Sequence, residues 1–81
     1  MDDAQTLTKL TAIMRDVLDE PSVTLTPDTT AADIAGWDSM TNITFVVEVE
    51  RQFGVKFKTA EIEEMSHVGD MIKIIAAKTK A

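Results

Sequence analysis

The sequence predicts an all-α fold in which three longer helices and one short helix surround a single aliphatic core. Only three Gly and two Pro occur, whereas a sheet built on many turns would need more of both. Ala, Met and Glu, which favour helices, are frequent, and apolar residues recur at helical spacing. A chain of 81 residues has room for one domain, so we expect residues 1–81 to form a single unit.

The first predicted helix ends before Pro21, because proline cannot continue a helix. Asp2 or Asp3 is suited to cap its start, where the helix dipole favours a negative charge. Its apolar residues fall on one stripe, which consists of Leu7, Leu10, Ile13, Met14, Val17 and Leu18.

Residues 19–38 are predicted to form a long connection, because turn-forming residues are concentrated there. We expect Val23, Leu25 and Ile34 to hold this connection to the core, and residues 31–34 to make a short helical turn. A loop of this length in a compact domain is usually functional.

The segment from Ser39 to Phe53 is predicted to be the second long helix. Its β-branched residues favour a strand on propensity alone, but fifteen residues without Gly or Pro fit a helix better. In a helix the apolar residues form two stripes. One contains Phe45, Val46, Val49 and Phe53, and the other contains Met40, Ile43 and Val47.

The two stripes of this helix leave two alternatives open. If one stripe faces the core and the other is partly exposed, the exposed one marks a surface for a partner or a ligand. If the helix is central, both stripes are buried.

The remainder of the chain predicts two more helices after Gly54, which is suited to end the second helix in a left-handed conformation. Residues 55–57 are expected to be extended. Thr59 is expected to cap a short helix that runs through Met65, and Ser66 is expected to cap the last helix. That helix has apolar residues at helical spacing, namely Val68, Met71, Ile72 and Ile75.

Charge and composition exclude several classes of function. With 14 acidic and 8 basic residues, the net charge of −6 disfavours nucleic acid and favours partners with basic surfaces. No cysteine occurs, so any thiol chemistry needs a thiol from another source. The polar, acidic start of the chain is unlike a signal or transit peptide, and no apolar run could span a bilayer. We therefore expect a cytoplasmic protein without membrane insertion.

The chain has few groups suited to catalysis or metal binding. His67 is the only histidine and no cysteine accompanies it, so a zinc site is not expected. Ser39 and His67 could formally share a catalytic triad with an acid, but a lone histidine of this kind is far more often a surface residue. We therefore predict that the chain is not an enzyme and has no metal site.

The run from Gly36 to Met40 is the most informative part of the sequence. The simplest interpretation is that Asp38 caps the second helix by accepting a backbone N–H. A functional interpretation is that Ser39 presents an accessible primary alcohol for modification. A phosphodiester at that position would meet the positive end of the helix dipole. Because the charge of Asp38 opposes a phosphodiester, Asp38 is better suited to orient the loop or contact the modifying enzyme.

On these residues the sequence resembles the acyl carrier protein family. Asp38-Ser39-Met40 is similar to the family's Asp-Ser-Leu/Met motif. The resemblance covers nearly the whole chain and extends through Ile43, Phe45, Val46, Glu48, Glu50, residues 53–55, Phe57 and residues 62–70. It implies a four-helix bundle with a long first loop. It also implies that a phosphopantetheinyl transferase attaches 4'-phosphopantetheine from coenzyme A to Ser39, and that the thiol of this arm carries acyl intermediates as thioesters.

The resemblance also implies a docking face on the second helix. The residues that this face places against partners are Asp38, Met40, Ile43, Thr44, Val47 and Glu48. The apolar members would contact partners directly, and the acidic ones would meet Lys or Arg, mainly affecting the encounter rate. The implied partners are acyl-transferring, ligating or condensing enzymes with basic docking surfaces, and the carrier itself is expected to be a monomer.

Two departures from the family pattern affect the expected pathway. Members that serve fatty acid synthesis usually carry acids where this chain has Thr41 and Thr44. The chain thus fits specialised biosynthesis, such as polyketide, peptide or modified-sugar assembly, better than primary fatty acid synthesis. Two alternatives stay open: an aminoacyl, D-alanyl or peptidyl carrier, and an unmodified helical interaction module in which Ser39 only starts the helix.

Overall fold

The computed structural model describes residues 2–79, and within that range it contains only helices and connections. The elements are α1 (Asp3–Leu18), a 3₁₀ turn (Ala31–Asp33), α2 (Ser39–Phe53), α3 (Thr59–Glu64) and α4 (Val68–Thr79). The predicted all-α class, with three longer helices and one short helix, is confirmed. Helix α1 packs against both α2 and α4.

Helix α1 begins with a reciprocal pair of hydrogen bonds. The Asp2 carboxylate accepts the N–H of Gln5 at 2.8 Å, and the Gln5 side-chain oxygen accepts the N–H of Asp2 at 3.1 Å, an arrangement that satisfies two free amides of the first turn. The helix ends at Asp19, whose φ of 52° is left-handed. The predicted stripe is confirmed: Leu10, Ile13 and Met14 are buried, and Leu7, Val17 and Leu18 pack against them.

Helix α2 has the bounds that the sequence predicts, despite its many β-branched residues. Phe45, Val46 and Val49 are at most 4% exposed, and burying these side chains outweighs a weak local preference for strand. We call them, with the half-buried Phe53, the inner stripe. Gly54 ends the helix with a φ of 68°, as predicted.

The long connection is fastened to the core as predicted. Leu25 is buried, Val23 and Ile34 pack against the core, and the short helical turn forms at Ala31–Asp33. The connection therefore has a defined path from the end of α1 to the start of α2.

The same connection also completes the start of α4. The carbonyl of Thr29 accepts the N–H of Val68 at 2.9 Å, and the carbonyl of Pro27 accepts the N–H of Gly69 at 2.8 Å. A Cβ at Gly69 would lie 2.9 Å from the Pro27 oxygen, so this close approach requires glycine.

The predicted caps of the two last helices are wrong. Thr59 is the first residue of α3, which ends at Glu64 rather than Met65, and Ser66 lies two residues before α4. In both helices the acid at the third position reaches back instead. Glu61 accepts the N–H of Lys58 at 2.8 Å, and Asp70 accepts the amides of Ser66 and His67 at 2.9 and 3.3 Å. An acid at the third helical position satisfies the free amide of the residue that precedes the helix.

Candidate functional site

The chain turns sharply just before α2. Gly36 has a φ of 88°, and a Cβ on it would lie 3.3 Å from Cδ2 of Leu18. Both facts favour glycine at this position. The Asp38 N–H then donates to the Gly36 carbonyl at 3.1 Å. The turn passes close to the last residue of α1 and leads the connection into the first residue of α2.

Asp38 caps α2, as the sequence predicts. Its carboxylate accepts the backbone N–H of Thr41 at 2.8 Å, and its carbonyl accepts the N–H of Asn42 at 2.8 Å. The hydrogen bond from the Thr41 backbone is the main cause that holds the pKa of Asp38 below its usual value of 3.8. Asp38 is therefore an anion at neutral pH, and its charge is directed at the helix start.

Ser39 is the first residue of α2 and its side chain is exposed. Within residues 2–79, its hydroxyl makes no hydrogen bond. Because Asp38 already caps the helix, the Ser39 hydroxyl has no structural task that we can identify. A covalent group on this oxygen would displace no contact of the described chain, so the position fits such a group.

Trp37 fixes the end of the connection to α2. Its indole N–H donates to the side-chain oxygen of Asn42 at 3.0 Å. Its ring meets Phe45 edge to face, with centroids 5.5 Å apart and planes at 69°, a geometry that aromatic pairs prefer. These contacts hold the residues on either side of Ser39 in a fixed arrangement.

The second apolar stripe of α2 is exposed, so the alternative in which both stripes are buried is wrong. Met40, Ile43 and Val47 are 79%, 65% and 53% exposed, and they are the large hydrophobic side chains that the described part of the chain leaves exposed. We call these three residues the outer stripe. An apolar surface of this kind, next to a free serine, is suited to contact another molecule.

The polar members of the predicted docking face lie beside the outer stripe. The Thr44 hydroxyl donates to the carbonyl of Met40 at 3.2 Å. Glu48 forms an ion pair with Arg51 and accepts a hydrogen bond from Gln52 at 3.3 Å. The bond from Arg51 is the main cause that lowers the pKa of Glu48. The structure thus brings all six predicted residues to α2 and its cap.

A small cavity of about 130 Å³ lies beside the inner stripe. The cavity is partly open, and the long connection, α2, α3, the link from α3 to α4 and the start of α4 line it. Its lining residues are Ala31, Trp37, Asn42, Phe45, Ile62, Met65, Ser66, His67, Val68 and Met71. No local pattern in the sequence marks this cavity, because its walls come from separate segments.

The structure gives no support to a catalytic triad. Nδ1 of His67 lies 3.3 Å from the Asp70 carboxylate, and among residues 2–79 no hydrogen bond joins His67 to Ser39. No cluster of three or more potential metal ligands is found in the described residues. None of the helices in this range is long and apolar enough to cross a membrane.

Fold and site together define a class of small helical domains that present one free serine at the start of a helix. Comparison with known proteins identifies the class. The family described as "Phosphopantetheine attachment site" matches residues 8–75.

Relatives and a solved structure agree with this match. The chain is 31% identical over 70 residues to the acyl carrier protein of Thermotoga maritima, with 86% of each chain covered. It is 32% identical over 73 residues to that of Acidothermus cellulolyticus, with 90% of this chain and 87% of the other covered. The solution structure of the holo acyl carrier protein from Geobacter metallireducens matches with a TM-score of 0.85 and 37% identity, covering 90% of this chain and 84% of that one.

The chain therefore belongs to the acyl carrier protein family. Acyl carrier proteins are carriers and not enzymes, and the group that is covalently attached to members of this family is phosphopantetheine. Membership thus confirms both the predicted cofactor and the predicted lack of enzymatic activity. It also confirms that the chain works with enzymes that load and use its cargo.

Proposed function

We propose that Ser39 carries 4'-phosphopantetheine and that residues 1–81 form one monomeric carrier domain, which delivers acyl intermediates to enzymes in the cytoplasm. The observation that carries this proposal is the free, exposed hydroxyl of Ser39 at the first position of α2. The other two serines of the chain are Ser22 and Ser66. The Ser22 hydroxyl is bonded to Glu20 at 2.8 Å, and Ser66 lies outside any helix.

Ser39 and the residues around it would contribute differently to holding phosphopantetheine. The Ser39 oxygen would form the new bond to the phosphate and lose its proton, while the pyrophosphate bond of coenzyme A breaks and adenosine 3',5'-bisphosphate leaves. The first amides of α2 offer a favourable environment for the phosphate charge, while the Asp38 carboxylate opposes it. When bound, the group supplies the thiol that this cysteine-free chain lacks, and a tethered thiol raises the effective concentration of cargo at a docked enzyme.

The pathway is proposed from two residues in the first half of α2. Thr41 and Thr44 stand where acids are usual in carriers of fatty acid synthesis. Their presence supports a specialised pathway, such as polyketide assembly, over primary fatty acid synthesis. The partners are then a phosphopantetheinyl transferase and the acyl-transferring, ligating or condensing enzymes of that pathway. The net charge of −6 supports partners whose surfaces are basic overall.

The test is modification of the purified chain with coenzyme A and a broad-specificity transferase, followed by intact-mass measurement. We expect the wild type and the Ser66→Ala and Ser22→Ala controls to gain one phosphopantetheine each. Ser39→Ala should gain none. Failure of the folded wild type to gain mass, or modification that persists in Ser39→Ala, would contradict the proposal.

A further inference from the structure

One side-chain hydrogen bond spans Ser39. The indole N–H of Trp37, which precedes Ser39, donates to the side-chain oxygen of Asn42, which follows it, at 3.0 Å. Both side chains are half-buried. The bond therefore closes the segment 37–42 around the serine, and we call this bond the Trp37–Asn42 clasp.

Each end of the clasp is fixed to a different part of the fold. The backbone N–H of Trp37 donates to the Ile34 carbonyl at 3.2 Å, and its ring meets Phe45, which is 1% exposed. The backbone N–H of Asn42 donates to the Asp38 carbonyl at 2.8 Å, which is the first bond of the helical ladder of α2. The clasp thus joins the connection and the core to the first turn of α2.

The first turn of α2 has few other bonds to hold it. Ser39 lies before the residue that donates the first ladder bond, and such helix ends open at a small cost in free energy. The cavity of about 130 Å³ beside Trp37 and Asn42 leaves part of both side chains without packed neighbours, so packing alone does not fix them. One hydrogen bond of ordinary strength can then determine what fraction of the molecules holds Ser39 in its helical position.

We propose that Trp37 and Asn42 are positioning residues for the modification of Ser39, because their clasp keeps this serine in the arrangement that a phosphopantetheinyl transferase uses. The proposal rests on the proposed function, since it needs an enzyme that modifies Ser39. If the transferase binds only this arrangement, its kcat/KM is proportional to the fraction of the carrier that has it. Neither side chain takes part in the transfer itself.

The experiment measures kcat/KM for modification of the full chain by a broad-specificity transferase, at a temperature at which circular dichroism shows every variant folded. Trp37→Phe removes the donor of the clasp, and Asn42→Val removes its acceptor with a similar helix propensity. Each change should lower kcat/KM about threefold. The double variant should also lose about threefold, because both changes break the same bond. A loss of about ninefold in the double variant would show that the two side chains act independently, and the proposal would be wrong.

A core variant away from Ser39 is the matched control. Ile75→Val changes a side chain of α4 that is 1% exposed, and its expected cost in stability is similar to that of one hydrogen bond. It should leave kcat/KM unchanged. If Ile75→Val lowers kcat/KM as much as Trp37→Phe does, the clasp only stabilises the fold and the proposal is wrong.

Hydrogen exchange of the free carrier gives a measurement that does not involve the transferase. Exchange of the Thr41 amide, followed by NMR, should become about threefold faster in both clasp variants but not in Ile75→Val. Unchanged exchange in the clasp variants, together with slower modification, would mean that Trp37 and Asn42 contact the enzyme directly, which contradicts a positioning role. A folded wild type that is never modified would instead contradict the proposed function.

Discussion

Helix α2 has two apolar faces with opposite surroundings. In the inner stripe, Phe45, Val46 and Val49 are almost fully buried in the core and Phe53 is half-buried, whereas each residue of the outer stripe is more than half exposed. The neighbours Val46 and Val47 are identical residues that differ in where they point, being 4% and 53% exposed. One face therefore serves the fold and the other is available to a partner, and at these two positions the residue type does not distinguish them.

The largest difference between the two faces is expected when the same charge is placed on each of the neighbouring valines. Val46→Glu buries a carboxylate without a partner and should destabilise the fold by about 3 kcal/mol or more. Val47→Glu should change the free energy of unfolding by no more than about 0.5 kcal/mol, while it slows transfer by partner enzymes. Urea unfolding of both variants measures the difference, and unfolding of Val47→Glu would place that residue in the core.

A second comparison concerns Trp37, which connects the start of α2 to the inner stripe. Trp37→Phe keeps the aromatic contact with Phe45 but removes the N–H that Asn42 accepts. We expect a loss of about 1 kcal/mol in the free energy of unfolding. The double variant with Asn42→Ala should lose no more than Asn42→Ala alone, within a few tenths of a kcal/mol. Fully additive losses would show that this hydrogen bond is not formed in solution.

Acidification affects the carboxylates of α2 and its cap but not the apolar inner stripe, which has no titratable group. Hydrogen bonds lower the pKa values of Asp38 and Glu48 below 3.8 and 4.5. The stability that these carboxylates contribute is therefore fully present above their ordinary pKa values and is lost as pH falls through the lower folded values.

The corresponding measurement is the Tm between about pH 6 and about pH 3. Asp38→Asn keeps a good capping side chain but no longer titrates, and Glu48→Gln loses its charge in the same way. Both variants should show a smaller fall in Tm than the wild type over this range. A fall equal to that of the wild type in both variants would mean that these two carboxylates do not contribute.

The smallest effect is expected at Ser39 itself. Its hydroxyl makes no hydrogen bond within the described residues, and Asp38 caps the helix. Ser39→Ala should therefore change the free energy of unfolding by no more than about 0.5 kcal/mol, although it abolishes modification. A large loss of stability on thermal unfolding would show that Ser39 has a capping role after all.

The features that the sequence predicts correctly are local ones. The stripe of α1 and the bounds of α2 follow from spacing within a single segment, and the cap by Asp38 follows from one residue and its next turn. The predicted caps of α3 and α4 are wrong because the acids Glu61 and Asp70 bond at these helix starts, not the hydroxyls of Thr59 and Ser66, and composition alone does not rank the two arrangements. The carbonyls that complete α4 come from Pro27 and Thr29, about forty positions earlier in the chain.

Other features could not be predicted because they depend on how separate segments meet. Neither the cavity nor the contact between Trp37 and Asn42 leaves a periodic signal. The spacing of apolar residues in α2 leaves open whether one stripe or both are buried, and only the family resemblance points to Met40, Ile43 and Val47 as the face for partners. The packing of α1 on one side of α2 decides which residues are buried.

The position of Trp37 has a practical consequence. It is the only tryptophan in the chain, so the intrinsic fluorescence of the protein at long wavelengths comes from one indole, two residues before Ser39. That emission responds to the polarity around the N-terminus of α2. Loading of the carrier can therefore be followed in the purified protein without an added dye.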